Sequence, residues 1–302
     1  MQVTVLEKAR GVGGRMATRR TGCAVYDHGA QFFTARDPRF SDLTAKLIEA
    51  GAAEEWCRGF AGPDREARDD GHARFRGTSG MTSVPKQLAH GLHILLNQRV
   101  LAIEARGAQW SARTETGEEF VSDALLLTAP VPQSLSMLDA GGASLLANAR
   151  AALELIRYDP CIAVMVQPTV CTLPAPGGMQ LTEGPVSWIG DNQRKGISPC
   201  PAVTIHAGAE FSTAHWGRDD RTVAAALLLA TSRWLSEPLS EAVVHRWRFA
   251  KPSVCHPEPC LVQSAPAPFA FAGDAFGETR VEGAALSVLA AAGGILNMLG
   301  VG

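Results

Sequence analysis

Two glycine-rich segments, far apart in the chain, constrain the fold more than any other feature of the sequence. Val3 to Leu6 is a β-branched and aliphatic run, which predicts a buried strand, and Gly11, Gly13 and Gly14 follow it. Much later, FAFAGD predicts a second apolar strand, and RVEGAALSVLAAAGGIL predicts a helix of small residues. Strand, glycine turn and helix form a ligand-facing arrangement in an open α/β sheet. Because unlike sequence separates the two segments, we expect two lobes that interleave along the chain.

The composition favours a folded protein with a small-molecule partner. The chain has 302 residues, which is enough for two lobes, and 46% of them are hydrophobic against 19% charged. The formal net charge is -2, so charge gives no argument for nucleic acid or an anionic membrane surface as a partner. We expect neither partner, and the composition leaves the oligomeric state open.

The number of cysteines and the length of the apolar runs indicate the cellular compartment in which we expect the protein. Seven dispersed cysteines, an odd number, predict no disulfide framework. The first residues lack a signal-peptide core, and we find no run of about 18 uncharged apolar residues that predicts a spanning helix. These features favour a cytoplasmic protein. Cys255, His256 and Cys260 are weak metal candidates because prolines intervene and no second pair matches them, so we expect no metal.

Hydrophobic periodicity predicts the elements between the two glycine-rich segments. In chain order they are a helix over 40–50 closed by Gly51, an irregular or hairpin segment over 58–80, a helix over 84–96, a small antiparallel sheet ending in a buried strand at 125–128, a helical stretch from 132 to about 156, and a mixed sheet over 160–250 with a helix at about 222–235.

The first glycine-rich segment contains candidates for binding a nucleotide. An acid that follows a strand can accept hydrogen bonds from ribose hydroxyls, and Glu7 is placed for that role. In GVGGRM, Gly13 and Gly14 permit close backbone approach and Arg15 can neutralise a pyrophosphate. An ordinary surface carboxylate and a flexible turn with a solvated arginine are the alternatives.

Two further segments can contribute to the same site. In DHGAQFF, small residues allow a flat ring to lie against the backbone and the aromatic residues can bound a pocket, although a β-turn with core phenylalanines has the same pattern. Asp274 follows a strand and a glycine, where a carboxylate can bind a polyol hydroxyl. The helix that starts near Glu282 offers free backbone N–H groups, which would stabilise the negative pyrimidine end of a reduced flavin.

The middle of the chain contains one dense polar and aromatic cluster, HRWR. Strand alternation places His245 and Trp247 on one face and Arg246 and Arg248 on the other. Either pair can face a substrate, the rings by stacking or proton exchange and the arginines by binding phosphate. A strand with arginine–carboxylate contacts is the alternative. His28, Trp188 and His206 are isolated candidates that can equally be buried or surface residues.

Four motifs, EKARGVGGRMATRR, DHGAQFFTARDPRF, HRWRFAKP and FAFAGDAFGETRVEGAALS, together resemble the renalase-like branch of the flavin-containing amine oxidase superfamily. The resemblance covers nearly the whole chain. It implies an α/β, two-lobed FAD/NAD(P)-binding fold of the p-hydroxybenzoate hydroxylase or amine oxidase type with a mixed-sheet substrate lobe. The implied FAD-binding lobe comprises 1–36, 80–135 and 265–302, and the implied substrate lobe comprises 37–79 and 136–264.

The resemblance also implies roles for individual residues, with FAD as the cofactor. Glu7 and Lys8 would contact the adenosine ribose, Arg15 the pyrophosphate, and Ala30 and Gln31 the flavin region. The other implied cofactor residues are Gly13, Gly14, Met16, Gly29, Phe32, Val100, Ala129, Gly273, Asp274, Val281, Glu282, Gly283 and Ala284. The implied catalytic residues are His245, Trp247 and Gln31, and the implied substrate residues are Phe33, Trp188, His206 and Arg248.

The implied reaction is oxidation of isomeric dihydronicotinamide dinucleotides to NAD(P)+, with dioxygen reduced to hydrogen peroxide. Hydride transfer to a flavin needs no strong general base, which agrees with a pocket that lacks an evident acid–base pair. Oxidation of a small amine is the alternative reaction. It would require an aromatic cage or a carboxylate placed for the amine, and the sequence assigns no such pair.

The chain departs from the family pattern in its first residues. The family opens with a strand and a G-x-G-x-x-G turn, whereas this sequence begins at what resembles the second strand, and GVGGRM lacks the required spacing. We therefore expect an N-terminal truncation of about 25 residues and an open position beside Val3 to Leu6. A non-catalytic remnant that does not retain FAD is a further alternative.

Overall fold

The computed structural model describes residues 1–62, 67, 69–236, 238 and 241–301. The chain divides into two compact units, here called unit 1 and unit 2. Unit 1 contains Met1–Val12, Ala89–Tyr158 and Lys251–Gly302, and unit 2 contains Gly13–Leu88 and Asp159–Ala250. The predicted interleaving is present, but 13–36 and 80–88 belong to unit 2, and 136–158 and 251–264 to unit 1, unlike in the predicted lobes. The assignment of FAD and substrate to separate lobes stays a prediction.

The first strand of unit 1 is exposed. β1 (Thr4–Leu6) pairs in parallel with β6 (His93–Leu95), with Thr4 opposite His93. Val3 is 52% exposed and Val5 38% exposed, so the expectation of a buried strand is wrong. The reason is that β1 has only β6 as a strand neighbour among the described residues.

A second sheet of unit 1 is buried. β10 (Leu125–Leu127) pairs in parallel with β17 (Phe269–Phe271), and β16 (Leu261–Gln263) pairs with β17 in antiparallel orientation. All three residues of β17 are fully buried. α7 (Arg280–Met298) lies against this sheet, where Ala291 and Ile295 share a core with Ala270 and Ala272.

α7 confirms the predicted helix of small residues. It has 19 residues with a mean hydropathy of 1.5, so one helix of the described chain is long and apolar enough to cross a membrane by length and composition alone. This criterion allows charged residues, and every 18-residue window of α7 contains Glu282, so it does not contradict the prediction that no run of about 18 uncharged apolar residues occurs. One such helix is weak evidence, because core helices of other proteins meet the same criterion.

The rest of unit 1 contains a three-stranded antiparallel sheet and two helices. The predicted single helix over 84–96 is wrong, because Gly91, at φ 77°, follows the end of the helix and the residues after it form β6. The predicted helical stretch from 132 to about 156 is two helices that Gly141 and Gly142 separate. These elements are β7 (Val100–Arg106), β8 (Gln109–Thr114), β9 (Glu119–Ser122), α3 (Val131–Ala140) and α4 (Ala147–Glu154).

A five-stranded sheet is the main feature of unit 2. Its strand order is β12-β13-β14-β11-β15, and β13 pairs with β12 and with β14 in antiparallel orientation. The predicted sheet between 160 and 250 is thus present, and its β11–β14, β12–β13 and β13–β14 pairs are antiparallel. The strands are β11 (Arg157–Val166), β12 (Gly178–Gln180), β13 (Val186–Asp191), β14 (Val203–Ala207) and β15 (Val243–Val254), of which β11 and β15 each extend beyond the unit at one end.

Helices and hairpins complete unit 2. Asp37 caps the first helix by accepting a hydrogen bond from the backbone N–H of Arg39 at 2.9 Å, and Phe40 and Leu47 are buried on its inner face. The predicted helix at 222–235 ends earlier, at Thr231. The elements are β2 (Thr18–Thr21), β3 (Ala24–Asp27), α1 (Pro38–Glu49), β4 (Ala53–Cys57), β5 (Arg74–Gly77), α2 (Ser83–Leu88), α5 (Ala209–Ala214) and α6 (Asp220–Thr231).

One disulfide is present in unit 2, contrary to the expectation from cysteine number. Cys23, in the turn between β2 and β3, is bonded to Cys200, in the loop between β13 and β14. An odd, dispersed set argues against a framework of several bridges but does not exclude a single pair. The other five cysteines, Cys57, Cys161, Cys171, Cys255 and Cys260, are free.

Candidate functional site

The loop His28–Phe32, which follows β3, brings two predicted site residues together. Nε2 of Gln31 donates to the carbonyl oxygens of Asp27 at 2.5 Å and Gly29 at 3.1 Å, so this side chain folds back over its own loop. The same nitrogen lies 3.5 Å from Nε2 of His206, on β14. The loop and the five-stranded sheet therefore contribute to one cluster.

Three aromatic rings form the centre of this cluster. His28 stacks on Trp247 with 5.2 Å between ring centroids, and His245 lies 4.9 Å from His28 and 4.2 Å from Trp247. Nε1 of Trp247 donates to the carbonyl oxygen of His28 at 2.7 Å, and Nε2 of His206 lies 3.2 Å from that oxygen. Sequence reasoning treated His28 and His206 as isolated, and the structure places both with His245 and Trp247.

Burial keeps these imidazoles uncharged at neutral pH. Burial, with smaller contributions from His245 and Arg19, lowers the pKa of His28 to about 4. Burial likewise lowers the pKa of His206 to about 4, and it lowers the pKa of His245. The cluster is thus neutral, and its ring nitrogens can donate or accept hydrogen bonds without a net charge.

The arginines of the HRWR motif lie on the other face of β15. Arg246 forms an ion pair with Asp220 and donates to the carbonyl oxygens of Arg218 at 2.7 Å and Trp216 at 3.2 Å. The guanidinium carbon of Arg248 lies 6.0 Å from the centroid of the Trp216 ring. The structure therefore does not bring Arg248, a predicted substrate residue, to the cluster of His28.

A second aromatic cluster lies beside the loop. Trp188 contacts Phe32 at 5.7 Å and Phe60 at 4.9 Å between ring centroids, and Trp56 packs 5.2 Å from Phe60. Phe33 points elsewhere: it is 3% exposed and packs against the rings of Phe40 and Phe75. The structure thus brings Phe32 and Trp188 together and places Phe33 in the core.

The glycine-rich turn of the first motif packs against the same loop. Gly13, at φ 125°, and Gly14, at φ 49°, lead into a short 3-10 turn that contains Arg15 and Met16. The backbone N–H of Ala30 donates to the carbonyl oxygen of Arg15 at 2.8 Å. A Cβ atom on Gly29 would lie 2.0 Å from that oxygen, so only glycine fits there.

Arg15 has protein partners of its own in unit 2. Its guanidinium donates to the carbonyl oxygens of Phe249 and Ala250, each at 3.3 Å. A role at a pyrophosphate would require it to exchange or share these bonds, and that role stays a prediction.

In unit 1, the residues predicted for the adenosine side follow β1. Oε1 of Glu7 accepts a hydrogen bond from the backbone N–H of Ala9 at 2.7 Å, and Nζ of Lys8 lies 3.4 Å from Oε1 of Gln133. Val100 is half-buried at the start of β7. The structure thus places Glu7 and Lys8 directly after a strand, at the carboxyl end of a parallel pair.

The other predicted cofactor residues of unit 1 surround the start of α7. Gly273, at φ 138°, donates its backbone N–H to Oγ of Ser287 at 2.9 Å and precedes Asp274. Thr279, which caps α7, makes no side-chain capping bond, and Glu282 in the first turn is buried. The following residues of α7 are Gly283 and Ala284, Val281 precedes Glu282, and Ala129 follows β10.

The most buried charged pair of the described chain was not among the predicted site residues. Lys195 donates to Oδ2 of Asp27 at 2.6 Å and also to the carbonyl oxygen of Gln31. Its side chain is 1% exposed, and burial lowers its pKa. No sequence pattern identified Lys195, and nothing identified Asp27 as its partner.

Each unit has one feature that bears on ligand binding. In unit 2, Oε1 of Gln31 and Nδ1 of His28 are buried without a partner among the described residues, so both can serve a ligand. In unit 1, a Cβ atom on Gly283 would lie 2.0 Å from the carbonyl oxygen of Glu278, which keeps the start of α7 close to the preceding backbone. Among the described residues, no group of three or more His, Cys, Asp or Glu side chains is placed to hold a metal ion.

Solved structures share this fold across nearly the whole chain. A protein assigned as a protoporphyrinogen oxidase from Exiguobacterium sp. 255-15 aligns with a TM-score of 0.73 at 13% identity, covering 98% of this chain and 93% of that one. A putrescine oxidase solved with putrescine aligns with a TM-score of 0.68 at 14% identity, covering 96% and 92%. A protein from Pyrococcus furiosus aligns with a TM-score of 0.65 at 14% identity, covering 100% and 92%.

Family models match both parts of the chain. Residues 1–47 match the NAD(P)-binding Rossmann-like domain. Residues 46–296 match the family described as flavin containing amine oxidoreductase. The predicted mixed α/β fold of the amine oxidase type is confirmed, and so is the prediction of a flavin-dependent oxidoreductase. The chain belongs to the flavin-containing amine oxidoreductase family.

Proposed function

We propose that the protein is a FAD-dependent oxidase of the renalase type, which oxidises isomeric dihydronicotinamide dinucleotides to NAD(P)+ and reduces dioxygen to hydrogen peroxide. The neutral ring cluster of His28, His206, His245 and Trp247 is the observation that supports this proposal. Its imidazoles have lowered pKa values, so the cluster presents no charge to a cationic amine and no strong base. A dihydronicotinamide ring needs neither, because it releases a hydride directly.

The residues of this chain would hold the cofactor in the roles that the sequence predicts. Glu7 and Lys8 would bind the adenosine ribose, Arg15 the pyrophosphate, and the loop from Gly29 to Phe32 the flavin ring. Gly273, Asp274 and the first turn of α7 would bind its pyrimidine end. When bound, FAD accepts a hydride equivalent from the substrate and supplies the two electrons to dioxygen.

The ring cluster would orient the substrate and exclude water. Trp247 and His206 both contact the carbonyl oxygen of His28, which fixes the loop from two sides. The rings of His28 and Trp247, which stack on each other at an interplanar angle of 28°, would pack against a nicotinamide ring. Because the three imidazoles are uncharged at neutral pH, they would contact a substrate ring without placing a charge beside it.

The experiment is anaerobic mixing of the flavin-loaded protein with 6-dihydro-NAD, 6-dihydro-NADP and a panel of small amines. We expect rapid loss of the oxidised flavin absorbance with a dihydronicotinamide isomer, and hydrogen peroxide on admission of air. The proposal would be contradicted if an amine, but neither dihydronicotinamide isomer, caused loss of the oxidised flavin absorbance. Purified protein that binds no flavin after reconstitution would instead support a non-catalytic remnant.

Amine oxidation is the second candidate, and the aromatic cluster is the observation that favours it. Phe32, Phe60 and Trp188 lie with their ring centroids within 5.7 Å of one another, and aromatic faces can bind a substrate amine. The fourth ring, Trp56, already has the ammonium group of Lys195 at 5.1 Å from its centroid. The putrescine oxidase neighbour was solved with such an amine, which makes putrescine one member of the panel.

A further inference from the structure

Two buried polar atoms of unit 2 have no partner among the described residues although they lie side by side. One is the acceptor Oε1 of Gln31 and the other is the donor Nε1 of Trp188. Gln31 is 7% exposed and Trp188 is 6% exposed, so both atoms are shielded from bulk solvent. A buried polar group without a hydrogen bond lowers the stability of a fold, so each such atom calls for an explanation.

The identities of these two atoms are fixed by their surroundings. Nε2 of Gln31 faces the carbonyl oxygens of Asp27 and Gly29, and a rotated amide would place its oxygen against both of them. Oε1 is therefore the atom that faces away from the loop. The indole of Trp188 is held by the rings of Phe32 and Phe60, which fixes the direction of its N–H group.

The acceptor and the donor converge on Gly190, in β13. A Cβ atom there would lie 2.8 Å from Nε1 of Trp188 and 3.0 Å from Oε1 of Gln31. Gly190 thus leaves no room for a side chain, because the donor of Trp188 and the acceptor of Gln31 both lie close to its backbone. A group that satisfies both must present an acceptor and a donor next to each other, as the carbonyl and N–H of an amide do.

We propose that Gln31 and Trp188 form a recognition site for an amide edge, in which Trp188 donates to a ligand carbonyl and Gln31 accepts from the neighbouring N–H. Two ligands have this edge: the carboxamide of a nicotinamide dinucleotide and the pyrimidine edge of the flavin. The carboxamide assignment rests on the proposed function. It is favoured because the predicted pyrimidine contacts belong to the start of α7, in unit 1.

The test compares Trp188→Phe with Trp56→Phe in flavin-loaded protein. Both changes keep an aromatic ring, but Nε1 of Trp56 already donates to the carbonyl oxygen of Pro176 at 3.3 Å. Calorimetric titration measures binding of NAD+ and of its 3-acetylpyridine analogue, which keeps the carbonyl and lacks the N–H. Fluorescence titration measures the affinity of the apoprotein for FAD.

We expect Trp188→Phe to weaken NAD+ binding about fivefold, the typical effect of one hydrogen bond, with the FAD affinity unchanged. Wild type should prefer NAD+ over the acetylpyridine analogue by a similar factor, and Gln31→Met should abolish that preference. Trp56→Phe should lower the melting temperature and leave both affinities as in wild type.

The outcomes separate the two ligands and the two proposals. A weaker FAD affinity in Trp188→Phe, with NAD+ binding unchanged, would assign the amide edge to the flavin. Unchanged binding of both ligands in a folded Trp188→Phe variant would overturn the proposal. Because NAD+ binding is measured without turnover, the result does not depend on whether a dihydronicotinamide is the substrate, so a failure of the proposed reaction would be seen separately.

Discussion

Nζ of Lys195 lies 2.6 Å from Oδ2 of Asp27, and their side chains are 1% and 0% exposed. The other carboxylate oxygen of Asp27 accepts hydrogen bonds from Oγ1 of Thr18 at 2.6 Å and from the backbone N–H of Met81 at 2.8 Å. Lys195 also donates to the carbonyl oxygen of Gln31. This pair therefore fixes both the end of β3 and the loop that contains the candidate site.

Replacement of Lys195 by Met should destabilise the protein by about 3–5 kcal/mol, because it leaves the carboxylate of Asp27 buried and unpaired. Chemical denaturation measures this change. The double variant Asp27→Asn/Lys195→Met should be less destabilised, since no buried charge remains, and exposed Lys46→Met should differ little from wild type. If Lys195→Met and Lys46→Met had equal free energies of unfolding, the ion pair of Lys195 with Asp27 would not stabilise the fold as expected.

Acid should destabilise the fold through His28. Its pKa is about 4 in the folded protein and about 6.5 when unfolded, so the unfolded state binds more protons between these values. The contribution of His28 is complete above pH 6.5, falls as the pH is lowered to 4, and amounts to about 3 kcal/mol. Urea unfolding at several pH values measures it. His28→Phe keeps a ring against Trp247, and its free energy of unfolding should depend less on pH. If that dependence were as steep as in wild type, His28 would be excluded as the cause.

Reduction should destabilise unit 2. The bond between Cys23 and Cys200 joins residues separated by 177 positions, so it restricts the unfolded chain and contributes about 3 kcal/mol. We expect a lower melting temperature with a thiol reductant. The Cys23→Ser/Cys200→Ser variant should melt at that lower temperature with or without reductant. If the reductant lowered the melting temperature of this double variant as much as that of wild type, the destabilisation would not come from loss of this disulfide.

Gly29→Ala should disrupt the contact between the glycine-rich turn and the loop His28–Phe32. The added Cβ atom would lie 2.0 Å from the carbonyl oxygen of Arg15, so the backbone must move and FAD binding should weaken at least tenfold. Gly11→Ala is the matched control, because nothing lies within 4 Å of its Cβ position. FAD titration of both apoproteins compares them, and equal affinities would contradict this prediction.

Local sequence patterns predicted the helices and strands whose apolar residues all pack into a single hydrophobic core. α1 and α7 follow from helical spacing and small residues, and the strand FAF follows from a continuous apolar run. The pattern failed at His93–Leu95, where the same apolar spacing continues past Gly91 into a strand. Periodicity alone does not separate a helix end from a short strand.

The candidate site was only partly predictable, because its decisive contacts are long-range. His245 and Trp247 were found through alternation within one strand. Lys195 was missed since its partner, Asp27, is 168 positions away, and the pairing of Cys23 with Cys200 spans a similar distance. Contacts of this kind depend on how the strands assemble, which no local pattern records.

The division of each unit among distant segments has a consequence for synthesis on the ribosome. β10 pairs with β17, and most of unit 2 lies between them in the sequence. The buried sheet of unit 1 can therefore close only after nearly the whole chain has left the exit tunnel. Until then the apolar edge of β10 stays uncovered, so we expect the nascent chain to depend on chaperones that bind exposed strands.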